Sequence, residues 1–470
     1  MTATLEYFEV LRLHGHTTYR IPIKNNRLVL VGENGTGKST VLNILYYFLT
    51  RQWRRMMSYD FESVTVGIDG KRATVSREQL GLYEDLRHRT AGMSRRFGSA
   101  ARQRIEDLIQ RGVDPHDNAV AAEIREIARV HDIPIGLIRN TLEFAIEGDV
   151  PLLTGQISKA NELLNEAMSG LVLFLPTYRR IEQELHAIFR AGSQDVKEIV
   201  SRAQQFRSGK FHVELVAFGM EDVDSAVTAK MASTKDNLRT GLSALTGSYL
   251  REVILGQYDT VQYANLAALD GETLESIFKK VDEEVLPNRE RERLREIVGR
   301  FHAEQSVSAA DRVVAHFLTK LHELHRDQER KQRDIRSFVD ICNKYLSGKK
   351  VAYDDVKYTI QIHDVREKKE KDPDREGSGK TLSLADLSSG EKQIVSLFSH
   401  IHFSEVESFF VLIDEPELSL SVPWQKDFLP DIYRTGKCAG LIAVTHSPFT
   451  FENEFDRDTK SISEYMEMGR

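Results

Sequence analysis

Gly32-Glu33-Asn34-Gly35-Thr36-Gly37-Lys38-Ser39-Thr40 fits the pattern G-x-x-x-x-G-K-[ST] without exception, and its reading decides the fold. An apolar run, Leu28-Val29-Leu30-Val31, precedes it, and Val41-Leu42-Asn43-Ile44-Leu45-Tyr46 continues it with helical character. Strand, glycine loop and helix in that order are the context a P-loop needs. The glycines let backbone N–H groups turn inward around phosphates, and the helix start adds positive potential. Asn34, Gly35, Thr36, Gly37, Lys38, Ser39 and Thr40 are therefore the expected nucleotide-binding residues. Lys38 supplies a mobile charge for the β- and γ-phosphates, and the Ser39 hydroxyl is placed to ligate Mg²⁺. ATP and Mg²⁺ are the expected cofactors.

Toward the C-terminus three further signals complete a nucleotide machine. Leu387-Ser388-Ser389-Gly390-Glu391-Lys392-Gln393 opens a helix, and its serine and glycine amides make a second anion site at Ser388 and Gly390. Phe409-Phe410-Val411-Leu412-Ile413 reads as a buried strand ending in Asp414-Glu415. Asp414 is expected to hold the metal with Ser39, and Glu415 to polarise the attacking water. Leu441-Ile442-Ala443-Val444 is another strand, and His446 just beyond it is expected to sense the γ-phosphate.

This order resembles an ABC-type ATPase, of the branch that contains SMC, RecF and OLD-family proteins rather than transporters. Leu387–Gln393 resembles the ABC signature, with Ser389 where a glycine is usual. Leu418-Ser419-Leu420-Ser421 stands where the D-loop lies, with Ser421 in place of the common aspartate. The resemblance implies an α/β fold: a P-loop ABC ATPase head, a mixed sheet flanked by helices, with a large helical, partly coiled-coil-like insertion. It also implies that Ser388 and Gly390 act in trans, closing on nucleotide held by another copy, so that heads sandwich the nucleotide in a homo-oligomer. A separation of 376 positions between Lys38 and Asp414 leaves room for the insertion and argues against a transporter motor.

Length and composition bound the rest. A chain of 470 residues, 41% hydrophobic and 29% charged, reads as a globular protein of two to four structural units. No apolar run is long enough for a membrane span, and Met1–Tyr7 lacks signal-peptide character. With only Cys342 and Cys438, a reduced cytoplasm is the simple expectation. A net charge of −7 argues against a chain-wide polyanion surface.

The expected division is 1–82 for the first part of the head, 83–165 helical, 166–221 a return to the head, 222–346 helical and 347–470 the rest of the head. Leu5–Leu13 with Thr17–Ile23, Ser63–Ile68 with Arg72–Val75, and Val351–Val365 read as hairpins; Phe211–Phe218 reads as one more strand. Arg87, Arg89, Arg95, Arg96, Arg102 and Arg104 form a basic cluster, for which a solvated face is the simpler reading and a surface for phosphates or an acidic partner the alternative. Heptads place Val314, Leu321, Gln328, Ile335 and Cys342 at one position and Phe317, Leu324, Lys331, Phe338 and Tyr345 at another, in a protruding coiled coil or a local bundle. Residues 366–379, rich in mixed charge, read as a mobile loop without the order of a restriction-type nuclease site.

Leu175-Pro176-Thr177-Tyr178-Arg179-Arg180-Ile181-Glu182 and Phe218–Val223 are similar to segments of stand-alone antiphage ATPases, the AriA type of PARIS first and the PtuA type of Septu second. That similarity implies an ATP-dependent sensor with slow, switch-like hydrolysis, answering a phage trigger protein. Only 24 residues follow His446, too few for a TOPRIM domain, so the toxic activity is expected on a separate effector, a TOPRIM-type or HNH nuclease. The alternative is an SMC- or RecF-like ATPase that binds duplex DNA directly.

Overall fold

A computed structural model of the chain describes residues 3–84, 99–111, 117–131, 133–146, 150–168, 170–176, 208–209, 212–214, 220–259, 269–280, 286–303, 308–365 and 380–469. Strands β1 (Leu5–Leu13), β2 (Thr17–Pro22) and β3 (Arg27–Val31) lead into helix α1 (Lys38–Leu49), followed by β4 (Ser63–Ile68) and β5 (Lys71–Ser76). Next come α2 (Ser99–Gln110), α3 (Asn118–His131), α4 (Ile135–Ile146) and α5 (Val150–Ala167). After β6 (Leu171–Leu175), β7 (Ser208–Gly209) and β8 (His212–Glu214) the chain is helical through α6 (Glu221–Ile254), α7 (Gly271–Lys279), α8 (Asn288–His302) and α9 (Ala309–Tyr345). Then come β9 (Lys349–Asp354), β10 (Thr359–Asp364), β11 (Thr381–Leu382) and α10 (Ser389–Phe403). The last elements are β12 (Phe409–Asp414), α11 (Val422–Arg434), β13 (Cys438–Thr445), β14 (Thr459–Ser461) and β15 (Met466–Met468).

Two compact units divide the chain. The first takes Met1–Ala217 and Val406–Arg470, the second Phe218–Glu405.

The first unit is an α/β body; it includes 83–165, and residues 347–405, expected with the head, group with the second unit. Its larger sheet has the order β14-β3-β13-β12-β6-β8-β7, parallel except for the β7–β8 pair, and is therefore mixed. Its inner strands are continuous apolar runs, as strands covered on both faces must be. A second, antiparallel sheet runs β15-β2-β1-β4-β5. One apolar core draws Phe8, Val10, Ile21, Val64 and Val66 from that sheet, Leu28, Phe174, Leu412 and Val444 from the parallel one, and the apolar residues of α1. Tyr46 of α1 stacks on Phe174 of β6, ring centroids 4.3 Å apart. Helices α2, α3 and α4 keep a smaller core of their own around Ile105, Ile124 and Leu142.

Register fixes where this head can work. Val31 lies beside Thr445, Asp414 beside Val444, and Ile413 beside Leu175, so the parallel strands end together. In open α/β sheets ligands bind just beyond that carboxyl edge.

His212 on β8 reports on this core, with its ring edge-on to Tyr46 at 5.8 Å. Burial, with the charge of Arg55, lowers its pKa from 6.5 to about 4. The folded chain keeps the ring neutral where the unfolded chain protonates it. Stability present above pH 6.5 is thus lost as the pH falls toward about 4, by up to about 3 kcal/mol. Urea midpoints measured across that range should fall with acid, and His212→Gln should flatten the slope.

The second unit is helical with a small antiparallel sheet, β11-β10-β9. The heptad pattern of α9 is buried locally: Leu245 of α6, Leu274, Ile277 and Phe278 of α7, Leu294 and Val298 of α8 and Leu318 and Leu321 of α9 share one core. Polar Gln328 and Gln332 lie on the same buried side. Ser308 and Asp311 cap α9 reciprocally, which fixes its start. Phe403 of α10 packs on Phe338 of α9, centroids 4.5 Å apart. No helix among the described residues is long and apolar enough to cross a membrane.

Arg87, Arg89, Arg95 and Arg96, residues 177–182 and 218–219, and the charged stretch 366–379 lie outside the described residues; the side chain of Arg102 does too. Of the basic cluster, Arg104 pairs with Glu126 across 3.2 Å.

Candidate functional site

The last three motif residues, Lys38, Ser39 and Thr40, form the first turn of α1, which begins at Lys38 rather than at Val41. Gly37 makes the turn possible: its φ is 81°, and a Cβ there would sit 2.7 Å from the Tyr19 hydroxyl. That hydroxyl, reaching in from β2, donates to the Thr36 carbonyl at 2.8 Å. The Thr36 hydroxyl donates to the Glu33 carbonyl at 2.8 Å, so the loop is tied from both sides. Lys38 is 4% exposed, and its ammonium donates to the carbonyls of Gly32 at 2.9 Å and Glu33 at 2.8 Å. Burial lowers the Lys38 pKa, against Glu415, Asp414 and Glu417, whose charges hold the proton on.

Asp414 ends β12 in a buried position, and the Ser39 hydroxyl donates to its Oδ1 at 2.8 Å. The bond joins residues 375 positions apart. A hydroxyl and a carboxylate converging beside the loop are hard oxygen donors, the set that suits Mg²⁺ with phosphates and water filling the remaining positions. Among the described residues no group of three or more His, Cys, Asp or Glu could hold a metal by itself.

Glu415 adopts a φ of 51°, a left-handed conformation costly for a side chain of this kind, and its N–H donates to the Val444 carbonyl at 2.8 Å. Burial raises the carboxyl above the usual glutamate range, Asp414 and Glu417 add to that, and His446 and Lys38 oppose it. One titratable neighbourhood thus contains Lys38, Asp414, Glu415, Glu417 and His446.

Glu417 is a residue that pattern reading missed. Its Oε2 accepts from the Thr445 hydroxyl at 2.7 Å and its Oε1 from the His446 N–H at 2.8 Å. Gln425 adds a second tie, with Nε2 donating to the Leu420 carbonyl at 3.0 Å and Oε1 accepting from the Ser447 hydroxyl at 2.7 Å. The run Asp414-Glu415-Pro416-Glu417 was the available signal. Tyr19 carried none, since only the fold brings it to Thr36.

The second unit holds Ser388 and Gly390. Ser388 is the N-cap of α10: its hydroxyl accepts from the Glu391 N–H, and the Glu391 carboxylate accepts from the Ser388 N–H at 2.7 Å. Lys349 of β9 closes the box with a 2.6 Å ion pair to Glu391. Burial pushes the Glu391 carboxyl up, but the bonds from Lys349 and Ser388 outweigh it and hold it below the usual range. Ser388 and Ser389 remain exposed at the helix start.

Residues 276–452 match the family described as "AAA domain, putative AbiEii toxin, Type IV TA system". That span contains Ser388, Gly390, Asp414, Glu415 and His446 and stops short of the P-loop, which lies N-terminal to it. Among solved structures, the chain is similar to the Smc head domain with an extended coiled coil, bound to the C-terminal domain of ScpA, from Pyrococcus furiosus. Identity is 11%, over 96% of this chain and 91% of that one, with a TM-score of 0.30. The Smc head domain with a coiled coil and joint from Pyrococcus yayanosii is 13% identical over 96% of this chain and 93% of that one, with a TM-score of 0.31. No curated protein matches the sequence. What the chain carries is an α/β P-loop head with a helical insertion, similar in its C-terminal part to an AAA-type ATPase domain.

Proposed function

We propose that this chain is an ATP hydrolase whose nucleotide bridges two copies, acting as a slow switch on a separate effector in defence against phage. The Ser39–Asp414 bond carries the reading, because it brings a P-loop hydroxyl and a strand-end carboxylate together at one point. Ser39 and Asp414 would hold a magnesium ion, which when bound neutralises charge on the β- and γ-phosphates. The amides of Asn34 to Thr40 and the Lys38 ammonium grip the phosphates, Glu415 orients and deprotonates water, and His446 meets the γ-phosphate. Ser388 and Gly390 of a second copy complete the site from the far side. One chain offers two anion-binding helix starts but one P-loop, so a shared γ-phosphate makes ATP a bridging ligand.

The defence assignment rests on resemblance to AriA- and PtuA-type ATPases, and the toxin–antitoxin wording of the matched family is in keeping with it. On this reading the protein works in the cytoplasm, and the nuclease and the phage trigger are other chains. Ser388→Asp tests the bridge. Aspartate caps a helix as well as serine does, so the α10 start survives, while its charge repels a phosphate. Masses measured with ATP should rise to a multiple of the chain for the native protein and stay at that of the free form for the variant. An ATP-driven assembly that the substitution leaves intact would remove Ser388 from the bridge.

A second reading, direct binding to duplex DNA, has one observation in its favour. Arg326, Arg330 and Arg333 follow one another along α9 and line a cleft of about 510 Å³ with Arg336, Ser337 and the carboxylates Glu329 and Asp340, a net positive surface. DNA affinity that rises with ATP and falls steeply with salt would support it.

A further inference from the structure

We propose that Glu417 is a positioning residue for hydrolysis, which sets the place of His446 by holding the backbone at the end of β13; the proposal rests on the ATP-hydrolase reading above. Both carboxylate oxygens are committed to adjacent residues of that strand end, Oε2 to the Thr445 hydroxyl at 2.7 Å and Oε1 to the His446 N–H at 2.8 Å. The Ser447 N–H in turn donates to the Thr445 hydroxyl at 3.0 Å. Three consecutive residues, Thr445 to Ser447, are thus organised around one side chain.

The segment that delivers this carboxylate is itself tightly held. Glu415 and Ser419 both lie in the left-handed region, at φ 51° and 67°, so the chain between them turns back sharply from the end of β12. Gln425 anchors the far end of that turn through the Leu420 carbonyl and also accepts from the Ser447 hydroxyl. Two bridges therefore run from 417–425 to 445–447, and Glu417 forms the one that touches His446. The His446 side chain is exposed, so its aim depends on where its backbone is held.

The chemistry of the bonds separates a positioning role from a charge role. Both partners of Glu417 are donors as they stand, but the Thr445 hydroxyl can rotate and accept. Glutamine can therefore accept from the His446 N–H and donate to Thr445, keeping the bridge while losing the charge. Alanine keeps neither.

The test combines steady-state ATPase kinetics with hydrogen exchange of the 445–447 backbone in the full chain. Glu417→Ala is expected to lower kcat about tenfold or more with little change in KM, and to speed exchange at 445–447. Glu417→Gln is expected to restore both to within about threefold of the native protein. A glutamine variant as slow as the alanine one would overturn the proposal in favour of a charge role. An alanine variant with native kcat, or with native exchange at 445–447, would overturn it outright. If the native chain shows no turnover, the hydrolase reading fails, while exchange at 445–447 still decides whether Glu417 holds the strand end.

Discussion

Lys38→Ala is expected to weaken ATP binding about 100-fold or more, by the loss of charge-assisted hydrogen bonds worth roughly 1.5–3 kcal/mol each to the β- and γ-phosphates. Lys38 is 4% exposed at the root of the loop, its ammonium already aimed inward by the Gly32 and Glu33 carbonyls. Its replacement should leave the fold intact. Burial disfavours the charged lysine, and removing a cation from a site that depresses its pKa gives up little native stability. The unliganded variant should therefore melt near the native temperature while failing to gain stability from ATP, since stabilisation by a ligand follows its affinity. Lys38→Arg should not rescue binding, because a planar fork cannot take the place of a compact ammonium under a glycine loop. Calorimetric titration with ATP and magnesium checks both variants, and unchanged affinity in the alanine variant would refute the P-loop assignment.

The parts of this site that could be read directly from the chain were those whose chemistry is written in consecutive residues. Leu28–Val31, Phe409–Ile413 and Leu441–Val444 are apolar runs ending in Gly32, Asp414 and Thr445-His446, and the parallel register places those ends side by side. Contacts that depend on distant segments carried no such sign. Tyr19 lies on an antiparallel strand with ordinary alternation, and only the loop before α1 brings Thr36 to its hydroxyl. Lys349 is one of several lysines around β9, and nothing in its neighbourhood marks it as the partner of Glu391. Strands β14 and β15 have three residues each, too few for a period of two to register, yet they pair with β3 and β2. The heptads of α9 were legible as a buried stripe, but a helix in a local bundle and one in a protruding coil bury much the same positions. Leu274, Ile277 and Phe278 of α7 and Leu294 and Val298 of α8, packed beside Leu318 and Leu321, show a bundle there.

Glu415→Gln is expected to split binding from turnover. Loss of a general base slows hydrolysis roughly 10²–10⁴-fold. Binding should move the other way. Asp414, Glu415 and Glu417 all act electrostatically on Lys38, so the site presents clustered negative charge to a triphosphate. Removing the Glu415 charge, which acts on Lys38 more strongly than Asp414 or Glu417, lessens the repulsion, and ATP affinity should rise by a few-fold, given interactions of order 1–4 kcal/mol between charges about 4 Å apart near a surface, partly screened by salt. The backbone should not resist the change: glutamine meets the same φ of 51°, and the bond from the residue's N–H to the Val444 carbonyl does not involve the side chain. Opposite signs on affinity and turnover are an outcome that misfolding does not produce, because a damaged site loses both. If ATP bridges two copies, the variant should also accumulate as the assembled form, since the bridge is no longer removed. Single-turnover hydrolysis alongside ATP titration measures the split. Turnover at the native rate would mean that another group orients the water, and tighter binding without slower chemistry would leave Glu415 as an electrostatic brake on ATP entry.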